Sequence, residues 1–179
     1  MSFVIAIVAV AGVIIGALAF AATKPNTVSF EREVRIAASP DRVFALIDDF
    51  HAWKQWSPQD RDDTTFARTF SGATSGVGAV SNWQAKGQGG KGRAEIVESR
   101  PGQLVVVNVD FEQPCAVHNV NRFALTPDGS GTHVVWSMRG DSPYILKVMS
   151  LFVNMNKMMG QHFEAGLANL KAAAEGRST

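Results

Sequence analysis

Between Val28 and Ile36 every second residue falls on one side of an extended chain. Val28, Phe30, Arg32, Val34 and Ile36 share that side, and the alternation predicts a strand. The period then changes. Ser39 suits an N-cap, Pro40 the first helical position, and Asp41 the positive end of the helix dipole. Val43, Phe44, Ile47 and Phe50 recur at helical spacing, so a short helix follows and runs into "DFHAWKQWSPQD", residues 49–60.

Strand-like segments come next, at 65–72, 77–86, 92–99, 103–111, 116–126 and 131–140. The breaks "GATSG", "GQGG", "RPG", "EQPC" and "TPDGSG" are short and rich in turn formers. They predict an antiparallel meander with the first strand at an edge. Ser142 as N-cap and Pro143 as first helical residue then open the last element. Ile145, Met149, Phe152, Met155, Met159, Phe163, Leu167 and Leu170 form one apolar stripe over about eight turns, which Gly176 stops.

Such a helix needs a broad apolar surface, and one face of the meander supplies it. Ala79, Ser81 and Trp83 lie on that face, as do Val105, Val107, Val109 and Phe111. Val117, Asn119, Asn121, Phe123 and Leu125 continue it, and Val134, Trp136 and Met138 complete it. The opposite face carries Asn108, Asp110, His118 and Arg122, which reads as solvated. A twisted sheet curling around one long helix does not close tightly everywhere, so a pocket is expected between them.

Residues 3–22, "FVIAIVAVAGVIIGALAFAA", stand apart: they are apolar or small and carry no charge. As a helix they span roughly 30 Å, the thickness of a bilayer's hydrocarbon core. No Lys or Arg precedes them, and the run exceeds a signal peptide's usual apolar core, which favours an uncleaved anchor over a cleaved signal. Lys24, Arg32 and Arg35 on the C-terminal side favour a cytoplasmic domain. The chain therefore divides into an anchor at 1–22, a linker at 23–27 and one domain at 28–176. Its 179 residues allow little more, and a formal net charge of +1 gives no pull toward nucleic acid. The lone Cys115 excludes an internal disulfide and a metal site built on several thiolates.

The order strand, helix-turn-helix, six strands and long C-terminal helix resembles the START-like, helix-grip or SRPBCC superfamily over about residues 27 to 175. Within it the chain looks most like the bacterial polyketide cyclase/dehydrase-like branch. The resemblance is carried by "IAASPDRVFALIDDFHAWKQWSP", "SGVGAVSNW", "GKGRAEIVESRP" and "MSLFVNMNKMMGQHFEAGLANLK". It implies an α+β helix-grip fold, β-αα-ββββββ-α, with a seven-stranded curved antiparallel sheet around the C-terminal helix. It does not imply one reaction, because members include transporters, sensors, assembly factors and a few enzymes.

Trp53 and Trp56 either anchor the helix-turn-helix over the end of the sheet or line a cavity mouth, and Ser57–Pro58 stops their turn. Asp48, Asp49, Asp60, Asp62 and Asp63 read as a solvated rim. "GQGGKG" fits a phosphate-loop spacing but lies between two strands, so it reads as a hairpin turn. His51, His118, His133 and His162 are scattered without metal-ligand spacing, so no metal and no cofactor is expected. As proton-transfer groups, Asp110 is expected to point outward and His162 to fall beside the helical stripe. Cys115 reads as packing. Met149, Met155, Met158 and Met159 fill core or form a pliable cavity wall.

The candidate ligand wall is Ser81, Trp83, Val107, Asn119, Asn121, Phe123, Trp136, Met155, Met159 and Phe163, with the two asparagines orienting the ligand. The expected function is membrane-tethered binding of a small apolar or amphipathic molecule, or a lipid. The alternatives are a cyclase or dehydratase acting on an aromatic or polyketide-type substrate, and an interaction module with a collapsed pocket.

Overall fold

The computed structural model describes residues 2–62, 65–85, 90–113 and 115–177. Seven strands form one antiparallel sheet: β1 (Thr27–Ile36), β2 (Ala67–Gly72), β3 (Ala79–Gln84), β4 (Lys91–Arg100), β5 (Leu104–Gln113), β6 (Val117–Asp128) and β7 (Gly131–Asp141). Their spatial order is β1-β7-β6-β5-β4-β3-β2, so β1 lies at an edge as its position in the chain predicts. It pairs with the last strand, Phe30 opposite Met138, Arg32 opposite Trp136 and Val34 opposite Val134. Register matters because a slip of one residue would turn every inner side chain to solvent. A bulge in β4 between Ile96 and Glu98 adds local bend where the sheet curls.

The helices are α1 (Ser2–Thr23), α2 (Pro40–Asp48), α3 (Pro58–Asp62), α4 (Tyr144–Met149) and α5 (Met155–Ala174), with a 3-10 turn at Trp53–Gln55. Ser39 caps α2 as expected, its Oγ accepting from the Arg42 N–H. Pro58 opens α3 where the sequence suggested a stop; its missing N–H costs nothing at a helix start.

The C-terminal helix differs from expectation. It is not one rod from Ser142: Pro143 occupies the N-cap position of α4, without a side-chain cap, and α5 starts afresh at Met155. Ser150 closes α4 and donates through Oγ to the Lys147 carbonyl, while the Asn154 Oδ1 accepts from the Lys157 N–H and opens α5. Helical spacing of apolar residues runs across this break, so periodicity alone does not reveal it. The capping residues do. Gly176 ends α5 at φ 71°, and Arg177 N–H donates to the Ala172 carbonyl.

Helix α5 lies against the sheet's inner face and runs in the same direction as β1. Arg32 Nε meets Glu164 Oε1 at 2.9 Å, Lys171 Nζ donates to the Arg35 carbonyl at 2.7 Å, and Glu175 Oε1 accepts from the Ala37 N–H at 2.8 Å. That last bond holds the Glu175 carboxyl below its ordinary range. The core comprises Ile36, Val43, Ile47, Phe50, Ile96, Val105, Val107, Phe123, Val134, Phe163 and Leu170 among others. Asp110 and His118 pair on the outer face at 2.6 Å, both well exposed, as the strand alternation requires.

Helix α1 lies outside this core. Val4–Thr23 is long and apolar enough to cross a membrane, with mean hydropathy 2.9, and almost none of it is buried. A membrane anchor and a signal sequence share those properties.

Candidate ligand-binding site

The tryptophan segment solves a backbone problem first. The last carbonyls of a helix have no partner within it. At the end of α2, Trp56 Nε1 donates to the Leu46 carbonyl at 2.8 Å and Trp53 Nε1 to the Ile47 carbonyl at 2.9 Å. Each indole satisfies its own N–H and one such carbonyl, and both rings then turn inward. Asn169 Nδ2 of α5 donates to the Trp56 carbonyl, tying this turn to the long helix.

An aromatic cluster grows from that pair. Trp53 and Trp56 lie with ring centroids 5.0 Å apart, and Trp56 meets Trp136 edge-on at 5.9 Å. Trp136 stacks on Phe163 at 4.2 Å and on Phe123 at 5.0 Å. Two glycines make room. A Cβ at Gly166 would lie 2.8 Å from the Trp136 ring, and one at Gly92 would overlap the Trp83 ring. Flat rings between a curving sheet and a straight helix leave space, here a cavity of about 110 Å³.

Of the ten candidate residues, Trp83, Asn119, Asn121, Trp136, Met159 and Phe163 line this cavity. Four do not. Val107 and Phe123 are wholly buried in the packed layer behind it. Ser81 is also fully buried, and its Oγ is taken up by Arg68 Nη1 at 2.8 Å. Met155 is the first residue of α5, one turn before Met159, and lies beyond the cavity.

The sequence reading missed several lining residues. The clearest is Arg68 on β2, which binds Asp60 of α3 through two bonds, Nε to Oδ1 at 2.5 Å and Nη2 to Oδ2 at 2.8 Å. The side chains are 9% and 8% exposed, so Asp60 is not part of a solvated rim. The guanidinium also sits over the Phe66 ring at 4.9 Å and the Trp53 ring at 5.6 Å. A charge alternating with Phe66 and Phe70 along one strand face was the available signal, since a buried arginine demands a carboxylate. Asp62 side-chain placement and Asp63 lie outside the described residues. Asp48 is half-buried away from the cavity; burial raises its pKa, a 2.7 Å hydrogen bond from Ser99 opposes this, and the Asp49 charge adds to the rise.

His162 is the second correction. It lines the cavity between Met159 and Phe163, with its ring 6.4 Å from that of Trp136. It stands three residues after Met159 and next to Phe163 in α5, so the edge of the apolar stripe also faces the cavity. Trp136 Nε1 donates to Asn121 Oδ1 at 2.9 Å, and an indole nitrogen can only donate, so the amide N–H groups of Asn121 remain available to the cavity. Trp53 and Trp56 both line the space, so each anchors and walls at once. Since Arg68 and Asp60 cancel, the wall is apolar with a few hydrogen-bonding groups, Asn119, Asn121 and His162 among them.

The "GQGGKG" segment falls partly outside the described residues. Ala85 N–H donates to the Gly90 carbonyl and Lys91 already belongs to β4, so a strand follows it and not a helix. Among the described residues no cluster of His, Cys, Asp and Glu could hold a metal ion. A wider groove of about 530 Å³ runs near Glu31, Arg122 and Arg139, but it is open to solvent and Phe30 is the one aromatic residue in its lining.

A curved antiparallel sheet gripping a C-terminal helix over a small aromatic-walled cavity defines a helix-grip, SRPBCC-type protein. The chain belongs to the family described as polyketide cyclase / dehydrase and lipid transport, whose model matches residues 27–175. Solved structures share the fold. Protein CV1439 from Chromobacterium violaceum is 20% identical with a TM-score of 0.60, over 85% of this chain and 99% of that one. The di-domain ARO/CYC StfQ from the steffimycin biosynthetic pathway is 14% identical with a TM-score of 0.61, over 84% of this chain and 51% of that one. Aha1 from Colwellia psychrerythraea, solved as a dimer, is 17% identical with a TM-score of 0.54, over 83% of this chain and 96% of that one. At these identities the likeness is one of fold alone. No curated protein matches the chain.

Proposed function

We propose that this is a membrane-tethered binding domain for a small, uncharged, apolar or amphipathic ligand held between the sheet and α5. The observation that carries the reading is the cavity itself. It is walled by all four tryptophans of the chain, with Asn119 and Asn121 as neutral polar groups to orient a guest. Its volume of about 110 Å³ suits one ring or a chain end, and Met159 is the wall residue best able to repack around a larger guest. Paired Arg68 and Asp60 argue against a charged head, because neither is left to neutralise one.

The tether belongs to the same proposal. Residues 1–22 act as anchor, 23–27 as linker and 28–176 as the ligand domain, on the cytoplasmic side by virtue of Lys24, Arg32 and Arg35. An anchor would hold the cavity near the bilayer, where apolar ligands concentrate. Native mass spectrometry of gently extracted full-length protein tests the reading. A stoichiometric small molecule released on activation is the expected result, and bare protein from every mild extraction would count against it.

His162 supports a second reading, a cyclase or dehydratase. An imidazole facing a bound carbonyl compound can take a proton from the adjacent carbon and return one to a leaving hydroxyl. The two readings separate on the recovered molecule. Binding returns it unchanged after prolonged incubation with excess protein, whereas catalysis converts it at a rate that His162→Gln abolishes while binding persists.

A further inference from the structure

We propose that the segment from Tyr144 to Met158 is a membrane-docking element that lies in the interfacial layer where α1 leaves the bilayer. The inference rests on the reading of α1 as an anchor and extends it to a second contact. Tyr144 Oη donates to the Leu18 carbonyl at 2.9 Å, and Lys24 Nζ donates to Ser150 Oγ at 2.8 Å. Lys147 Nζ reaches Asn26 Oδ1 at 2.5 Å. These bonds fix α4 and the turn after it at the last two helical turns of α1 and its exit. A spanning helix that ends at Thr23 puts that level at the headgroups.

The segment's outer surface suits that depth and suits water poorly. Phe152 is 83% exposed and Ile145 54%, with Tyr144, Met149, Val153 and Met158 exposed beside them. A contiguous apolar surface of this kind marks an interaction site. Tyrosine is also the residue type enriched at membrane interfaces. No acidic residue occurs between Asp141 and Glu164, and Lys157 is exposed there while Lys147 is buried, so nothing in the segment repels anionic headgroups. Continuity with α1 favours a bilayer over a protein as occupant, because the patch adjoins the exposed apolar end of that helix.

The consequence concerns the cavity. Its lining residues come from the end of β5, the start of β6 and the later part of β7, which is the end of the sheet carrying Thr27 and Asp141. The first turns of α5, with Met159 and His162, cover it there. Docking therefore holds the cavity end of the domain against the leaflet.

The test uses full-length protein in liposomes containing phosphatidylglycerol, in a Cys115→Ser background. An environment-sensitive nitrobenzoxadiazole label is placed at Phe152→Cys or, as a distal control, at Ser130→Cys in the β6–β7 turn. Nitroxide-labelled lipid is the quencher, and alkaline carbonate extraction reads the anchor separately. The expected result is a blue-shifted label at position 152, quenched at least about twofold more than at position 130, in carbonate-resistant protein. A solvent-like, unquenched label at 152 in carbonate-resistant protein overturns the docking proposal and leaves the anchor intact. A blue shift without lipid quenching overturns it in favour of a protein partner or a second copy. Extraction by carbonate with no quenching overturns both readings, and extraction with quenching retained overturns the anchor and with it the placement of the segment at the exit of α1.

Discussion

The two halves of α5 cover the same sheet and do opposite things. Toward its C-terminus, Leu167, Leu170 and Ala174 meet Ile36, Val43, Ile47, Leu125 and Val134, and the space is filled. Toward its N-terminus, Met159, His162 and Phe163 face Trp83, Asn119, Asn121 and Trp136, and a cavity remains. The strand register draws the boundary. Leu125 pairs with Val134, an aliphatic pair, while Asn121 pairs with Met138 next to stacked Phe123 and Trp136. Branched aliphatics interdigitate in a narrowing space, whereas rigid rings and amides cannot. The half that leaves space is the half with room for the proposed ligand.

That contrast can be broken at its centre. Trp136→Ala removes the ring that stacks on both Phe123 and Phe163 and strands the Asn121 acceptor. It is expected to cost about 3–5 kcal/mol in urea unfolding and to enlarge the cavity. A loss under about 1 kcal/mol would mean the cluster is not a packed unit. In the filled half, Leu170→Ala is expected to cost about 2–5 kcal/mol while leaving ligand affinity unchanged. If affinity fell as far as stability, the two halves would not be separable.

Asn119→Leu keeps the branching of the side chain and removes a polar group from the cavity wall. A stability change below about 1.5 kcal/mol is expected, with altered ligand affinity. Asp48→Asn is the smallest effect. Burial and the Asp49 charge raise the Asp48 pKa in the fold, so its protonated form is favoured there. Its favourable contribution is complete below the unfolded value of 3.8 and is lost as pH rises through the folded one. The asparagine, which still accepts from Ser99, should therefore raise the melting temperature slightly at pH 7 and not at pH 3. An equal gain at both pH values would rule out the charge as its cause.

Alternation and turn chemistry made the sheet legible from residues alone, down to β1 at the edge and Asp110 facing outward. The inner face was legible for the same reason, so six of the ten cavity candidates line the space. What escaped was phase and depth. The α4–α5 break lies inside an unbroken apolar stripe, and the stripe does not show that the cavity stops short of Met155 and reaches His162 at its edge. Strand parity gives the side of Ser81, Val107 and Phe123 but not how far each sits from the helix. The Arg68–Asp60 pair joins elements that pattern alone does not bring together.

The most direct measurement exploits the wall. Since every tryptophan lines the cavity, 4-bromophenol, a neutral aromatic whose bromine quenches on contact, should quench the intrinsic fluorescence of full-length detergent-solubilised protein in a saturable way. The Ala94→Phe variant fills the cavity from β4, and Val109→Phe fills it from β5 if the first does not fold. The account predicts that either folded variant loses the saturable component. Quenching that rises without saturation, or that is identical in wild type and filled variant, would contradict a binding cavity between the sheet and α5.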